Sequence, residues 1–504
     1  MIKKAIFFIV LFFAFYANTY TQNGYFNNTY NLNNKSCAGS NIIYNSEDST
    51  FSTTTATTDS VDKLCILFSK FDYNGNLLMK KYFNDGVNFY YSGHPGNFQK
   101  VWDGGYTISS AKEDTNGFAI AILLKFDKNF NFEFIKEFED TSFNHYAEFQ
   151  QCKITKDKNF ILAGTIQGFG NYDHDILLIK TDSLGNQLFR KTYNLGAIDN
   201  ARSIIETPDK GYLLGGYSWD YYNAWASGNG RIIKLDSMGN FEWGRQFGNP
   251  IYNDAQALVA LAPDSNYIVA TSYAYYTMPL SASDLKIQVI KIDKTDGSTI
   301  WDRQYDTIRV DNYPKMVKVL TDGNIVVVGN EDFWDGFNYY STSYILKLKP
   351  NGDSILFRRF FKNNNQYTLS NTSWDFCIAE DKSIVSCGYV SMQNDYQKLW
   401  LVKMDSLGCL QPGCDPTAGI EEPHYLKPGQ LQIYPNPATT QATISYPTTD
   451  NALILQIYNM LGQLVNEEKL SKGSSQTTLD TRAYKKGLYK VVVGESNGTL
   501  VVTD

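Results

Sequence analysis

The residues of this chain best suited to chemistry are its rings. Trp219-Asp220-Tyr221-Tyr222-Asn223-Ala224-Trp225, Tyr273-Ala274-Tyr275-Tyr276 and Phe333-Trp334-Asp335-Gly336-Phe337-Asn338-Tyr339-Tyr340 interleave aromatic side chains with polar ones. Phe89-Tyr90-Tyr91 and Trp374-Asp375 add two shorter groups. Rings beside Asp and Asn suit a sugar, whose C–H face stacks while its hydroxyls are hydrogen-bonded; Tyr also keeps a polar handle. Trp and Tyr are typical hot-spot residues. The candidate ligand-binding set is therefore Trp219, Tyr221, Tyr222, Trp225, Tyr275, Tyr276, Trp334, Tyr339, Tyr340 and Trp374. The competing reading is that these rings pack on one another to order long loops.

Catalytic signatures are sparse. Gly-x-Ser-x-Gly, His-Glu-x-x-His and a P-loop are absent. Four His occur, at His94, His145, His174 and His424, and they do not cluster. His94 and His145 read as surface polar residues in loops. A carboxylate pair for glycoside cleavage is defined by a separation in space, so the sequence identifies none. No Cys-x-x-Cys or Cys/His spacing suits a metal, and no cofactor or metal is expected. Seven Cys are present. Cys409 and Cys414 flank a Pro-Gly and could close a small loop. Cys377 and Cys387 fall on adjacent predicted strands, where a cross-strand bond could form. Cys37, Cys65 and Cys152 have no assignable partner.

What would position the rings is a repeat. An apolar run ends in Lys-x-Asp, turns through x-x-Gly-Asn and resumes as aromatic, basic, aromatic, as in Ile179 to Tyr193. The motif lysines are Lys70, Lys125, Lys180, Lys234, Lys291, Lys347 and Lys403, spaced 55, 55, 54, 57, 56 and 56 residues apart. Each repeat resolves into four short strand-like runs separated by turn signals. In one copy these are Ala201 to Glu206, Tyr212 to Tyr217, Arg231 to Asp236 and Phe241 to Phe247. Asp-x-x-Gly-Asn reads as a hairpin turn, because a calcium loop needs a denser array of acids. Phe130 replaces the turn Gly in one copy and Lys349 the Asp in another.

Four antiparallel strands repeated radially make a β-propeller, and seven motif copies predict seven blades. A linear β-solenoid is the alternative, although its repeats are usually shorter. Tyr25 to Leu32 matches Leu188 to Leu195, a fourth strand without the preceding three, while the last repeat ends in a poor fourth strand. Tyr25 to Asn31 is expected to pair with Leu399 to Asp405 and close the ring. In such a ring the short turns share one face. The ring-rich second-to-third loops and blade connections share the other.

Composition agrees with an all-β export product. Aromatics make up 15% and the formal charge is -7, which gives no electrostatic attraction to nucleic acid or anionic lipid. Residues 1–21 read as a signal peptide, with Lys3 and Lys4 followed by the apolar run Ala5 to Phe15. No later stretch is apolar enough to span a bilayer. The expected layout is signal peptide 1–21, propeller 22–414, a Pro-rich linker 415–430, and a module from 431 to 504 with six or seven short strands, a small β-sandwich.

Those last 75 or so residues resemble the C-terminal type A sorting domain of the type IX secretion system. The resemblance rests on Ile433-Tyr434-Pro435-Asn436-Pro437, Ile457-Tyr458-Asn459-Met460-Leu461-Gly462, Gly487-Leu488-Tyr489-Lys490-Val491 and Leu500-Val501-Val502. Its sorting motif residues here are Tyr434, Pro435, Asn436, Pro437, Gly462, Gly487 and Tyr489. It implies a Bacteroidetes-type bacterium, Sec export, passage across the outer membrane by the type IX machinery as partner, and removal of the tail. The cargo is then released or anchored at the cell surface. The repeats look like those of secreted bacterial propellers with this tail. They resemble quinoprotein dehydrogenase repeats only in the apolar run, Lys-x-Asp, Gly and Trp. Asp182-Ser183-Leu184, Asp236-Ser237-Met238 and Asp405-Ser406-Leu407 are similar to an O-glycosylation pattern of such bacteria. The functional expectation is a secreted or surface propeller that binds a glycan or a surface protein. An enzyme acting on polysaccharide and a structural adhesion ring are the alternatives.

Overall fold

The computed structural model describes residues 24–138, 146–167, 174–196, 198–219, 229–248, 256–276, 283–305, 310–334, 339–362, 368–392, 395–410, 431–446, 453–459, 462–472, 474, 476–494 and 496–503. All regular structure among them is β, and no helix there is long and apolar enough to cross a membrane. The expected signal peptide and linker lie outside the described residues.

Strands from Phe26 to Met404 form antiparallel four-strand meanders, as in Ile198–Glu206, Tyr212–Trp219, Asn229–Leu235 and Phe241–Phe247. The repeat motif ties each meander together. The motif lysine leaves the third strand and reaches the Asp in the turn between the first two. The pairs are Lys70–Asp48 at 2.6 Å, Lys125–Asp103 at 2.8 Å, Lys180–Asp157 at 3.2 Å, Lys234–Asp209 at 2.8 Å and Lys291–Asp264 at 2.6 Å. Lys403 and Asp381 stand 3.7 Å apart. Lys347 instead donates to the Ser406 carbonyl. The Asp of Lys-x-Asp does a separate job. Asp182 Oδ1 accepts the N–H groups of Leu184 and Asn186, and Gly185 takes φ +78°. This is a hairpin turn, as expected. Phe130 holds the same turn at φ +57° with its ring buried and stacked on Phe68, so packing offsets an unfavourable backbone.

First strands of successive meanders touch in cyclic order. They are Ala38–Asn45, Phe98–Lys100, Ala147–Ile154, Ile198–Glu206, Leu258–Leu261, Asp311–Val319 and Thr368–Ile378, and the last touches the first. Polar side chains staple neighbours together. Asn41 accepts from Gly96 N–H, Gln151 from Ile204 N–H and Ser203 from Val259 N–H. Asp375 accepts from Ile42 N–H across the closure. Phe26–Tyr30 pairs antiparallel with Lys398–Met404, from Phe26 opposite Lys403 to Tyr30 opposite Leu399. The N-terminal strand therefore sits where its likeness to a fourth strand placed it.

Five cysteines, Cys37, Cys65, Cys152, Cys377 and Cys387, are buried free thiols. This corrects the cross-strand bond between Cys377 and Cys387. The register sets Cys377 opposite Val385 and Cys387 opposite Asp375, so the two sulfurs are out of step. Cys409 is disulfide-bonded, and its expected partner Cys414 lies outside the described residues.

Two small sheets make up the C-terminal segment. One contains Gln432–Tyr434, Gln441–Ser445 and Gln476–Asp480, and the other Ile454–Asn459, Leu464–Lys469, Gly487–Val493 and Ser496–Val502. They enclose their own core of Ala442, Ile444, Leu455, Ile457, Val491 and Leu500.

Candidate functional site

The chemistry gathers at the first strands, through a backbone device. Each of several first strands carries a β-bulge opposite a glycine on the second strand. The register skips between Phe149 and Gln151 opposite Gly164, between Ala201 and Ser203 opposite Gly216, between Pro314 and Met316 opposite Gly329, and between Ser373 and Asp375 opposite Gly388. The unpaired residues are Gln150, Arg202, Lys315 and Trp374. A bulge re-aims the side chain it carries, and Arg202, Lys315 and Trp374 all line one cavity of about 470 Å³. The glycines make the bulges fit: a Cβ at Gly216 would lie 1.7 Å from the Asn200 carbonyl oxygen, and one at Gly388 1.8 Å from that of Thr372.

The cavity is cationic. Lys153, Arg202, Lys315 and Lys318 line it together with His94, Gln151, Gln256 and an aliphatic wall from Leu258 to Leu261, and no Asp or Glu is among the lining residues. Lys318 is partly neutralised by Asp375 at 3.0 Å. Lys315 lies 4.9 Å over the Trp374 ring and 5.4 Å over that of Tyr313. Arg202 donates to Gln150 Oε1, while its Nε is buried with no hydrogen-bond partner. No hydrogen bond or ion pair joins Lys153 to any described residue. Burial holds Lys153 below the usual lysine value, and the neighbouring charge of Lys318 pushes the same way. Burial likewise lowers Lys315, with Arg202 adding to the effect.

At the rim a hydrogen-bonded chain orients His94. Its Nε2 lies 2.7 Å from Glu148 Oε1, and Tyr146 donates to Glu148 Oε2 at 2.5 Å. Arg202 Nη1 stands 3.3 Å from His94 Nδ1, and its guanidinium covers the Tyr217 ring. Tyr146 also stacks on His174. Burial alone would raise Glu148, but bonds from His94 and Tyr146 and the charge of Arg202 hold it below the ordinary carboxyl range. Tyr146 is raised by burial and by Glu148. His94 is thus no isolated surface residue, which corrects that reading; His145 lies outside the described residues.

The expected aromatic set divides. Trp374 lines the cavity, yet from within the strand Thr368–Ile378 and not from a blade connection. Trp219 ends its strand and is 37% exposed, and Tyr340 is half-buried. Tyr275, Tyr276, Trp334 and Tyr339 belong to strands and not to loops, because the backbone ladders run on through them, with Trp334 in register with Tyr339 and Tyr276 with Ser283. Tyr221, Tyr222 and Trp225 lie outside the described residues. Tyr90 is buried and donates to Asp85, so that ring orders its own loop.

In the tail, the Asn436 side chain substitutes for a strand. Its amide donates to the Thr499 carbonyl at 2.7 Å and accepts from Val501 N–H at 2.8 Å. Pro435 and Pro437 flank it, exposed. Gly462 turns at φ +76° between two strands, and Tyr489 is buried and donates to Lys485 O. Tyr434 and Gly487 lie on the strands Gln432–Tyr434 and Gly487–Val493. Residues 432–503 match the family described as the secretion system C-terminal sorting domain. The chain is cargo of the type IX secretion system. This route delivers it to the cell surface or the extracellular space and implies a Bacteroidetes source.

No curated protein matches the chain. Several solved structures are similar at low identity. The β-propeller domain of the Trilobed protease from Pyrococcus furiosus is 10% identical, with 73% of this chain and 96% of that one covered and a TM-score of 0.40. A polysaccharide lyase of family PL25, an ulvan lyase, is 11% identical over 76% and 96%, with a TM-score of 0.47. A protein of unknown function from Dyadobacter fermentans is 10% identical over 74% and 95%, with a TM-score of 0.39. At these values the likenesses carry nothing about activity.

Lys153 yields a direct test of the cavity's electrostatics. Its lowered value means that the native state binds this proton more weakly than the unfolded chain does. Below the depressed native value both states hold the proton and the cost of burying the charge is full. As pH rises through the depressed native value toward 10.5, the native state releases the proton first and stability grows. Lys153→Met should raise the melting temperature at pH 7 by about 2–4 °C, equivalent to roughly 1 kcal/mol, and should flatten its alkaline rise. Thermal melts from pH 7 to 10 would show this; identical slopes would mean that Lys153 is an ordinary exposed ammonium.

Proposed function

We propose that this exported chain is a seven-bladed β-propeller, followed by a linker and a small β-sandwich sorting domain that is cut away on export, and that it acts outside the cell as a ligand-binding module. The boundaries proposed are 22–414, 415–430 and 431–504. The observation that carries the binding role is the bulge system. One-residue insertions recur at equivalent places, four of them opposite a glycine, and three of those four side chains converge on one cavity. Such concave sites with a few placed polar groups are where ligands bind. Trp374 within the cavity and Trp219 at the rim supply rings for a sugar face. On glycan and protein arrays the chain should capture a glycan, and Trp374→Ala should lower that capture at least about tenfold, the loss expected of a hot-spot ring, with little change in melting temperature. Capture of a protein alone would favour the adhesion reading.

A second reading is favoured by one feature, the chain Tyr146–Glu148–His94 beside Arg202. A histidine fixed by a carboxylate and flanked by a guanidinium can accept a proton next to a carboxyl group that the arginine neutralises. Hydrolysis by a pair of carboxylates fits less well, since no Asp or Glu lines the cavity. Release of unsaturated products from plant, algal or mucin glycans would mark the chain as an enzyme.

A further inference from the structure

The cavity has a charge the rest of the molecule does not. The chain carries a formal charge of -7, yet the wall of this 470 Å³ space holds four Lys or Arg side chains and no carboxylate. Three separate first strands supply them, Ala147–Ile154, Ile198–Glu206 and Asp311–Val319. Among the described residues the charge of Arg202 acts on Glu148, and Lys318 alone of the four forms an ion pair, with Asp375. Lys153 has none among the described residues, and Arg202 keeps a buried Nε without an acceptor. Concentrating unpaired cations in a partly desolvated space is unfavourable for the empty protein. A ligand that returned the missing negative charges would reverse that cost. The cations come from different strands and face one cavity, which suits a ligand carrying more than one anionic group. The aliphatic wall from Leu258 to Leu261 and the Trp374 ring ask for an organic body between the charges.

We propose that the cavity binds an acidic saccharide, one bearing more than one uronate carboxylate or sulfate ester, with Lys153, Arg202 and Lys315 taking its anionic groups. The proposal rests on the binding-module reading and names the ligand class for it. Arg202 can meet an oxyanion with two parallel donors, Nε and an Nη, once its bond to Gln150 yields. Lys153 and Lys315 act as point charges. Affinity falls with added salt, and it falls as pH rises because both ammonium groups lose their protons below the usual lysine range.

Calorimetry on the full chain with an oligouronate, a sulfated oligosaccharide and the carboxyl-reduced neutral form of the same oligouronate decides the matter. Each is titrated at low and high NaCl against wild type, Lys153→Met/Lys315→Met and the single Lys315→Gln. The expected result is binding of an acidic oligosaccharide at least about tenfold tighter than the neutral form, with the double variant weaker by at least about tenfold. Lys153→Met should melt no lower than wild type, since Lys153 has no hydrogen bond or ion pair among the described residues, and the melts of the Lys315 variants show that they are folded. Equal binding of acidic and neutral forms, or undiminished binding by the folded variants, overturns the proposal while leaving a glycan-binding module standing. Binding of inorganic sulfate alone overturns the saccharide class. Failure of every glycan, together with capture of a protein on the arrays, overturns both this proposal and the reading beneath it.

Discussion

Removing residues 24–31 should make the chain aggregate. The strand Phe26–Tyr30 is short, but its side chains reach three meanders. Asn27 Oδ1 accepts the indole N–H of Trp400 at 2.7 Å, and Asn27 Nδ2 donates to the Phe361 carbonyl at 2.8 Å. Tyr30 donates to the Gly75 carbonyl and packs on Phe71 with ring centroids 4.7 Å apart. Phe26 is buried among Leu399, Leu401, Val385 and Phe71. Deletion would leave the backbone of Lys398–Met404 unpaired along an apolar edge, the arrangement that recruits another chain. It would also uncover Trp400, now 1% exposed. A narrower variant separates the edge from the anchor. Asn27→Ala keeps the strand but strands the indole N–H, a loss of about 1–3 kcal/mol, seen as a lower melting temperature without aggregation. Light scattering and size-exclusion chromatography report the first effect and calorimetry the second. If the deleted chain elutes as the wild type does, with an unchanged melting temperature, the strand is decoration and the closure is made by Asp375 and its neighbours.

The clasp was legible in the sequence, and the site was not, for a physical reason. A fourth strand without its three predecessors is a local pattern, and its partner is fixed by the missing fourth strand elsewhere. The Lys-x-Asp and Gly-Asn turn is equally local, since Asp182 bonds residues two and four positions on. A bulge is different. It adds one residue to a strand without changing its composition, so Arg202 and Lys315 read as ordinary alternation. Their signal lay on the partner strand, in the glycines at 164, 216, 329 and 388, which an alternating apolar reading passes over. The ring-rich stretches erred in the opposite sense. Tyr273 to Tyr276 and Phe333-Trp334 look like loop decoration, but rings and β-branched residues are also what extends a ladder, and the strands Tyr267–Tyr276 and Ile325–Trp334 run through them. Trp374 was the right residue assigned to the wrong element.

Gly216→Ala should be among the costliest single added methyl groups at the described glycines and should disable the cavity at the same time. The added Cβ would lie 1.7 Å from the Asn200 carbonyl oxygen and 2.8 Å from its carbon. Both contacts are backbone, so no side-chain rotation relieves them. Asn200 to Ser203 must move away, and three things move with them. Arg202 leaves the bulge that aims it, the Gln151 bond to Ile204 N–H at 2.7 Å is broken, and the Ser203 staple to Val259 N–H at 3.0 Å is lost. The expected loss is about 3 kcal/mol or more, within the range for overpacking a close-packed interior, and a fall of about 6–12 °C in melting temperature. Gly117→Ala is the control. Gly117 has φ +83° and nothing within 4 Å of its Cβ position, so it suffers only the left-handed penalty of about 1–2 kcal/mol and leaves ligand capture intact. Gly388→Ala, 1.8 Å from the Thr372 carbonyl oxygen, should behave like Gly216→Ala while displacing Trp374 instead of Arg202. Comparable losses for the substitutions at 216 and 117, or full ligand capture by a destabilised Gly216→Ala, would separate the bulges from the site and return the glycines to ordinary packing.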